Sequence, residues 1–179
     1  MNSTGTAIES FAQLSSQLSP SALQDLLTQM HQLNETHTPH VGSLERDRFE
    51  ELVRLPETQT WLVLSNPVQL LGFLVVMNEL TPYSSPNFLW FKERYSQFLY
   101  VDRIAVDPSV RKQGWGRRLY DQVIREAQKT HRSLVTCEVN VKPPNPESLE
   151  FHSRLGFFPL GEQDTEQGAK RVRLLGFSP

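Results

Sequence analysis

The sequence predicts an α/β (α+β) fold, a mixed sheet with about four helices packed against it. Three observations lead there. Stretches that alternate with period two, such as Ser133–Asn140, are interleaved with stretches of helical spacing, such as Trp115–Thr130. The strand Phe98–Val106, that helix and the strand Ser133–Asn140 follow one another closely, which makes a parallel βαβ unit with a right-handed crossover. The length, 179 residues, suits one domain with a real core.

The elements follow in order. Residues 1–18 are rich in Ser, Thr and Gln and read either as an N-terminal extension or as a weak first strand, Ala7 to Ala12. Residues 19–179 read as the single domain. Ser19-Pro20 opens a helix whose Leu23, Leu26, Leu27, Met30 and Leu33 fall on one stripe. Ser43 is expected to cap a second helix carrying Leu44, Phe49, Leu52 and Val53. Thr60–Leu64 and Gln69–Met77 read as strands joined in a hairpin across Ser65-Asn66-Pro67. Between Tyr83 and Tyr100 stand seven of the 17 aromatics, opened by the turn residues Ser84-Ser85-Pro86-Asn87. So long a connection is rarely filler. It is expected to pack the core, to wall an acceptor pocket with Glu93, Arg94 and Tyr95 as polar members, or to form a homodimer contact. After Ser133–Asn140, Pro143-Pro144 stops the strand. Asn145 then caps a helix with Pro146 at N1 and Glu147 at N2, running to about Leu155 and closed by Gly156. Phe158–Gln163 and Arg171–Phe177 close the chain as a hairpin.

Composition excludes several classes. The net charge of −2 argues against bulk nucleic-acid binding. The longest apolar run, Leu70–Met77, is far too short to span a membrane. No basic stretch followed by an apolar one opens the sequence, so no secretory signal is expected. The one cysteine, Cys137, lies in an alternating strand and is expected to be buried and inert, which suits a reducing, cytoplasmic location. The five histidines are scattered and no metal-ligand spacing appears, so no metal is expected.

The most telling stretch is 100–118. A strand ends at Asp107-Pro108. The basic turn Arg111-Lys112-Gln113-Gly114-Trp115-Gly116 follows, and a helix begins. Backbone N–H groups at a helix start lack internal partners, and the macrodipole is positive there, so strand, turn and helix together cradle an anion. Arg117 and Arg118 sit in the first helical turn, where cations oppose that dipole. Their placement makes sense if a polyanion binds. Residues 101–142 carry nine of the 18 lysines and arginines against five acids. Neither the P-loop spacing nor G-x-G-x-x-G is present. A nucleotide-binding regulatory domain would use the same kind of loop but lacks those spacings. The bland alternative is a glycine turn with solvated arginines.

Arg111-x-x-Gly114-x-Gly116 resembles the acyl-CoA pyrophosphate loop, [RQ]-x-x-G-x-[GA], of the GNAT superfamily of N-acetyltransferases. Asn145-x-x-Ser148-x-x-Phe151-His152-x-x-x-Gly156-Phe157 resembles the second signature of that family, with His152 where its usual tyrosine stands. The resemblance covers residues 98–158. The fuller run V-N-x-x-P-P-N-P-x-S-x-x-F-H also resembles a subgroup of that family whose substrates are unassigned. It implies a mostly antiparallel sheet with a central parallel, splayed strand pair, and acetyl-CoA as co-substrate. The backbone of Ile104, Ala105 and Val106 would then meet pantetheine and the acyl carbonyl. The loop residues Arg111 to Arg117 would hold the pyrophosphate, and Asn140, Asn145, Ser148 and Phe151 would be further cofactor contacts. For Asn145 a plain helix cap is an equal reading, and Trp115 reads as a lid or packing residue.

N-acetyl transfer needs a base to free the amine and a proton for the leaving thiolate. Asp102 is the first candidate base, because a carboxylate inside an apolar strand needs a partner or a task. Glu138, on the face of Thr136 and Asn140, is the second. The alternative for Asp102 is an ion pair or an exposed edge. His152 is the candidate proton donor, since an imidazole of ordinary pKa is partly protonated near neutrality. Its alternative is a histidine that packs or hydrogen-bonds a carbonyl. The expected function is acetyl transfer to a primary amine of a small molecule or peptide. A catalytically silent acyl-CoA-binding or sensing module is the alternative.

Overall fold

The structure, a computed structural model, describes residues 5–65 and 68–179. Asn66 and Pro67 of the expected hairpin turn lie outside these, as do residues 1–4. Seven strands, β1 Ala7–Ser10, β2 Thr58–Ser65, β3 Gln69–Asn78, β4 Phe98–Val106, β5 Leu134–Lys142, β6 Phe158–Thr165 and β7 Lys170–Phe177, form one sheet in the order β1-β2-β3-β4-β5-β7-β6. β1 pairs antiparallel with β2, β5 with β7 and β6 with β7, whereas β4 and β5 are parallel. Six α-helices are present among the described residues: α1 Phe11–Ser15, α2 Pro20–Glu35, α3 Arg46–Val53, α4 Pro86–Lys92, α5 Trp115–Lys129 and α6 Pro146–Leu155. About four were expected. The two additional ones, α1 and α4, are five and seven residues long, too short to show a helical period.

The chain divides into two compact units. The first holds the chain up to Val76 together with Arg103–Gln122. In it Ser19 caps α2 by accepting the Ala22 N–H, and Pro20 stands at N1. Leu26, Leu27 and Met30 of α2 are buried, as are Phe49 of α3 and Phe73 of β3, whose rings meet edge to face at 5.8 Å. Ser43 does not cap α3. Glu45 is the N-cap residue, and the Ser43 hydroxyl instead donates to Glu35 Oε2 at 2.6 Å. The guanidinium of Arg103, 7% exposed, donates to Asn34 Oδ1 at 2.8 Å, which makes its burial tolerable. Arg103 is thus tied to α2 by this bond.

The second unit holds Met77–Asp102 and Val123–Pro179. Its core is aromatic: Phe88 and Phe91 of α4 pack on Phe98 and Tyr100 of β4 with ring centroids 5.5–6.2 Å apart, all four fully buried. The aromatic connection is therefore core in large part, as one of its readings had it. Arg132 holds Glu79 with two hydrogen bonds of 2.9 and 3.1 Å, and Glu79 accepts the Phe98 N–H at the start of β4. α6 has Asn145 as N-cap, accepting the Ser148 N–H at 3.2 Å, and Gly156 at its C-cap with φ +95°, a left-handed conformation that favours glycine. Cys137 is buried in β5.

Candidate active site

The anion cradle belongs to the first unit. β4 ends at Val106, and Asp107 accepts the Ser109 N–H and hydroxyl at 2.8 and 2.6 Å. Those two bonds hold its carboxyl below the ordinary range. The turn reaches α5 through two left-handed residues, Lys112 at φ +62° and Gly114 at φ +83°. A non-glycine residue there is uncommon and marks a loop whose shape is over-determined. The first intrahelical bond of α5 runs from Arg118 N–H to Gly114 O at 3.0 Å, so the N–H groups of Trp115, Gly116 and Arg117 have no carbonyl four residues back. Arg111, Lys112, Gln113 and Arg117 are exposed. Trp115 is 8% exposed and carries the Arg118 guanidinium 4.6 Å from its ring, which fits the packing reading.

One residue of this part escaped the sequence. His37 Nδ1 lies 2.8 Å from the Leu33 carbonyl oxygen and must donate to it. In the neutral ring Nε2 then accepts from Arg111 Nη2 at 3.2 Å, and it stands 3.1 Å from the Val106 oxygen. In that tautomer His37 orients the first loop arginine. Ala105 is buried, while Ile104 and Val106 are half-buried.

The carboxylates belong to the second unit. The parallel ladder of β4 and β5 runs from Phe98↔Leu134 to Val101↔Cys137. The next residue on each strand is an acid, Asp102 and Glu138, both half-buried. Glu138 Oε1 accepts the Tyr100 hydroxyl at 3.0 Å and the Asn87 amide at 3.0 Å. Asn87 is oriented for this because its Oδ1 accepts from Gln163 Nε2 at 3.0 Å. Glu138 Oε2 is buried and has no hydrogen-bond partner among the described residues. Burial, and then the negative charge of Asp102, push the Glu138 carboxyl up to about 7 against the pull of its two donors. Tyr100, fully buried beside that charge, is pushed well above the ordinary phenol value. Thr136 donates to the Leu99 carbonyl, and the Asn140 carbonyl accepts the Asn145 N–H at 3.1 Å.

His152 corrects an expectation. Its side chain is 3% exposed, and burial pushes its pKa down to about 4. The ring is therefore neutral near pH 7, not a partly protonated imidazolium. Nδ1 donates to the Ser148 carbonyl at 2.7 Å, with Ser148 Oγ 3.3 Å away, and the ring packs against Phe151 and Phe157. A histidine bonded to a carbonyl was the alternative reading, and this geometry has it.

Asn87, Tyr100 and Gln163 join Glu138 in one network that no local pattern reveals, since they come from α4, β4 and β6. Among the described residues no group of three or more His, Cys, Asp and Glu side chains is placed to hold a metal, and no helix is long and apolar enough to cross a membrane.

Comparison with known proteins bears on this geometry. Residues 23–157 match the Acetyltransferase (GNAT) family. The peptidyl-lysine N-acetyltransferase YjaB of Salmonella typhimurium is 26% identical over 132 residues, 73% of this chain and 72% of that protein. Among solved structures, NAA60 of Arabidopsis thaliana with a bisubstrate analogue aligns with a TM-score of 0.71 at 14% identity, covering 97% of this chain and 98% of that one. The ribosomal-protein-S18-alanine N-acetyltransferase of Escherichia coli aligns with 0.66 at 16% identity, covering 97% and 94%. At such identities these structures speak for the fold, and the family match carries the activity. The chain belongs to the GNAT acetyltransferase family: it is an N-acetyltransferase.

Proposed function

We propose that the chain moves the acetyl group directly from acetyl-CoA to a primary amine, of a peptide or of a small molecule, with Glu138 rather than Asp102 as general base. The observation that carries this is the division of labour at the Glu138 carboxylate. Oε1 is saturated by Tyr100 and Asn87, and Oε2 is buried without a partner. A base works best when its pKa lies near the working pH, and about 7 meets that condition. An alkylammonium titrates near ~10.4 in the lysine side chain, so raising the acid from its ordinary 4.5 narrows the gap from about six pH units to about three.

In this reading Oε2 takes a proton from the amine, directly or through one water. The nitrogen lone pair attacks the thioester carbon. The C–S bond then breaks, the nitrogen of the new amide gives up its second proton to solvent, and the thiolate takes a proton from solvent, since neutral His152 offers none. Arg111, Lys112, Gln113, Arg117 and the N–H groups of Gly114, Trp115 and Gly116 hold the pyrophosphate. Ile104, Ala105 and Val106 pair with the pantetheine arm. Asn140, Asn145, Ser148 and Phe151 contact the cofactor further along. A peptide lysine is the favoured acceptor, in keeping with the name of the Salmonella relative. The proposed compartment is the cytoplasm, which suits a lone buried thiol.

The test is release of free CoA from acetyl-CoA with a panel of lysine peptides and small amines. The native enzyme should turn over at least one of them, and Glu138→Gln should slow it about 100-fold or more. Full activity in Glu138→Gln would remove the base from this account. Acetyl-CoA binding without turnover on any amine would leave a silent binding module.

A further inference from the structure

Nε2 of His37 faces two groups with opposite demands. Arg111 Nη2, 3.2 Å away, is a donor, and the Val106 carbonyl oxygen, 3.1 Å away, is an acceptor. An imidazole nitrogen carries either a lone pair or a proton, so Nε2 satisfies one of them at a time. The other nitrogen is committed. Nδ1 donates to the Leu33 carbonyl at 2.8 Å, and the Thr36 hydroxyl donates to the same oxygen at 2.8 Å. Leu33 lies in the last turn of α2, where carbonyls lack helical partners, and the His37 N–H goes to the Asn34 carbonyl instead. The ring is thus pinned to the C-terminus of α2 through Nδ1. Only Nε2 is left to change partner.

The charges around the ring come from several elements, all within the first unit. Asp107, just beyond β4, interacts with His37 and attracts a positive charge there, as does the negative end of the α2 dipole. Arg111 of the loop repels one. Glu35 of α2 is engaged by Ser43, Asn34 and the Leu44 N–H. The Arg111 backbone is held separately, its N–H donating to the Pro108 carbonyl at 3.4 Å, so His37 bears on the side chain alone.

We propose that His37 is a positioning residue for acetyl-CoA binding: its neutral ring holds the Arg111 side chain in place, and its protonated ring gives Nε2–H to the Val106 carbonyl, releases Arg111 and loosens the grip on the pyrophosphate. The proposal rests on the reading of Arg111 as a pyrophosphate ligand. In the neutral state Arg111 spends one N–H on His37 and keeps the rest of its fork for phosphate oxygens. Protonation takes one proton from solvent onto Nε2 and changes no other covalent bond. It replaces an acceptor beside the guanidinium by a donor of like charge.

The experiment measures acetyl-CoA affinity by calorimetry from pH 5.5 to 8.5. The proteins are native, His37→Phe, His37→Gln, Arg111→Ala and the double variant His37→Phe/Arg111→Ala. Histidine-ring NMR of the native protein, with His37→Gln assigning the resonance, follows the protonation of His37 over the same range. Comparison of proteins at each pH cancels the titration of the CoA phosphates. Native affinity should fall about threefold or more, relative to His37→Gln, as the His37 ring gains its proton, and the two midpoints should coincide. At the alkaline end His37→Phe should lose about 3- to 10-fold, and His37→Gln, whose amide oxygen still accepts from Arg111, should recover most of that loss. In the Arg111→Ala background His37→Phe should cost less than about twofold, because His37 acts through Arg111; a histidine that merely held the end of α2 would cost the same in both backgrounds. An equal cost in both backgrounds, a His37→Phe affinity like that of the native protein, or a native pH dependence shared by His37→Gln overturns the positioning role and leaves Arg111 in place. Native-like affinity in Arg111→Ala overturns the reading of Arg111 itself.

Discussion

Two buried groups in one unit should drive stability in opposite directions with pH, and substitution of either should expose the other. Glu138 is raised from its ordinary 4.5 to about 7. The folded state holds this proton more tightly than the unfolded chain, so the contribution is fully present below 4.5 and is lost as pH rises through about 7. His152 is lowered from 6.5 to about 4. Its neutral form is the one the fold accepts, so its contribution is present above 6.5 and is lost as pH falls through about 4. Each interval of about 2.5 pH units corresponds to about 3 kcal/mol, at ~1.4 kcal/mol per unit. Across the overlap, from about 4.5 to 6.5, the two slopes nearly cancel.

Glu138→Gln removes one of them. Its amide oxygen still accepts from Tyr100 and Asn87, so the fold should survive. Relative to the native protein the variant should gain roughly 2.5 kcal/mol between pH 5 and pH 8, or about 5–10 °C in Tm for a chain of this size. The comparison at each pH cancels the other carboxylates, among them Glu35, Glu79 and Asp107, whose pKa values are lowered. Differential scanning calorimetry at pH 5, 6, 7 and 8 measures it. A stability difference that does not change with pH would refute the claim that Glu138 is held protonated up to about 7.

Other consequences are checked separately. His152→Phe should weaken the acid-side loss of stability and leave kcat within about threefold, because the neutral ring gives no proton to the thiolate; pH-dependent urea denaturation and steady-state rates read both. Asn87→Ala removes a donor to the carboxylate, so the Glu138 pKa should rise by about one unit, a hydrogen bond to a charged group being worth about 1.5–3 kcal/mol; the acid limb of kcat/KM should move up with it. Arg111→Ala should weaken acetyl-CoA binding about 10- to 100-fold by calorimetry, from the loss of one charge-assisted contact to phosphate.

The sequence and the structure agree most closely where a local rule decides the outcome. The strand Phe98–Val106 has the same bounds in both. Asn145, Pro146 and Gly156 delimit α6 because caps act within a few residues. The loop Arg111–Gly116 was legible for the same reason, its two glycines and its charges all lying within six positions. The network around Glu138, which the sequence reading placed second to Asp102, was not recoverable, because its partners are 51 residues away at Asn87 and 38 at Tyr100. His37 reaches Arg111 across 74 residues, with only a scattered histidine as its trace in the sequence. His152 kept its expected position and lost its expected protonation, since burial is a tertiary property that spacing does not report. α4 was hidden because its two turns carry Phe88, Trp90 and Phe91, residues equally at home in a strand.

The central claim is that Glu138, held near pH 7 by burial and by Asp102, frees the acceptor amine. The most direct measurement is kcat/KM for acetyl transfer against pH, in the native enzyme and in Glu138→Gln, with the amine found by the acceptor panel. The native profile should rise through pH 7, and the Glu138→Gln profile should be at least 100-fold lower and lack that limb. A limb near 7 that persists in Glu138→Gln would contradict it.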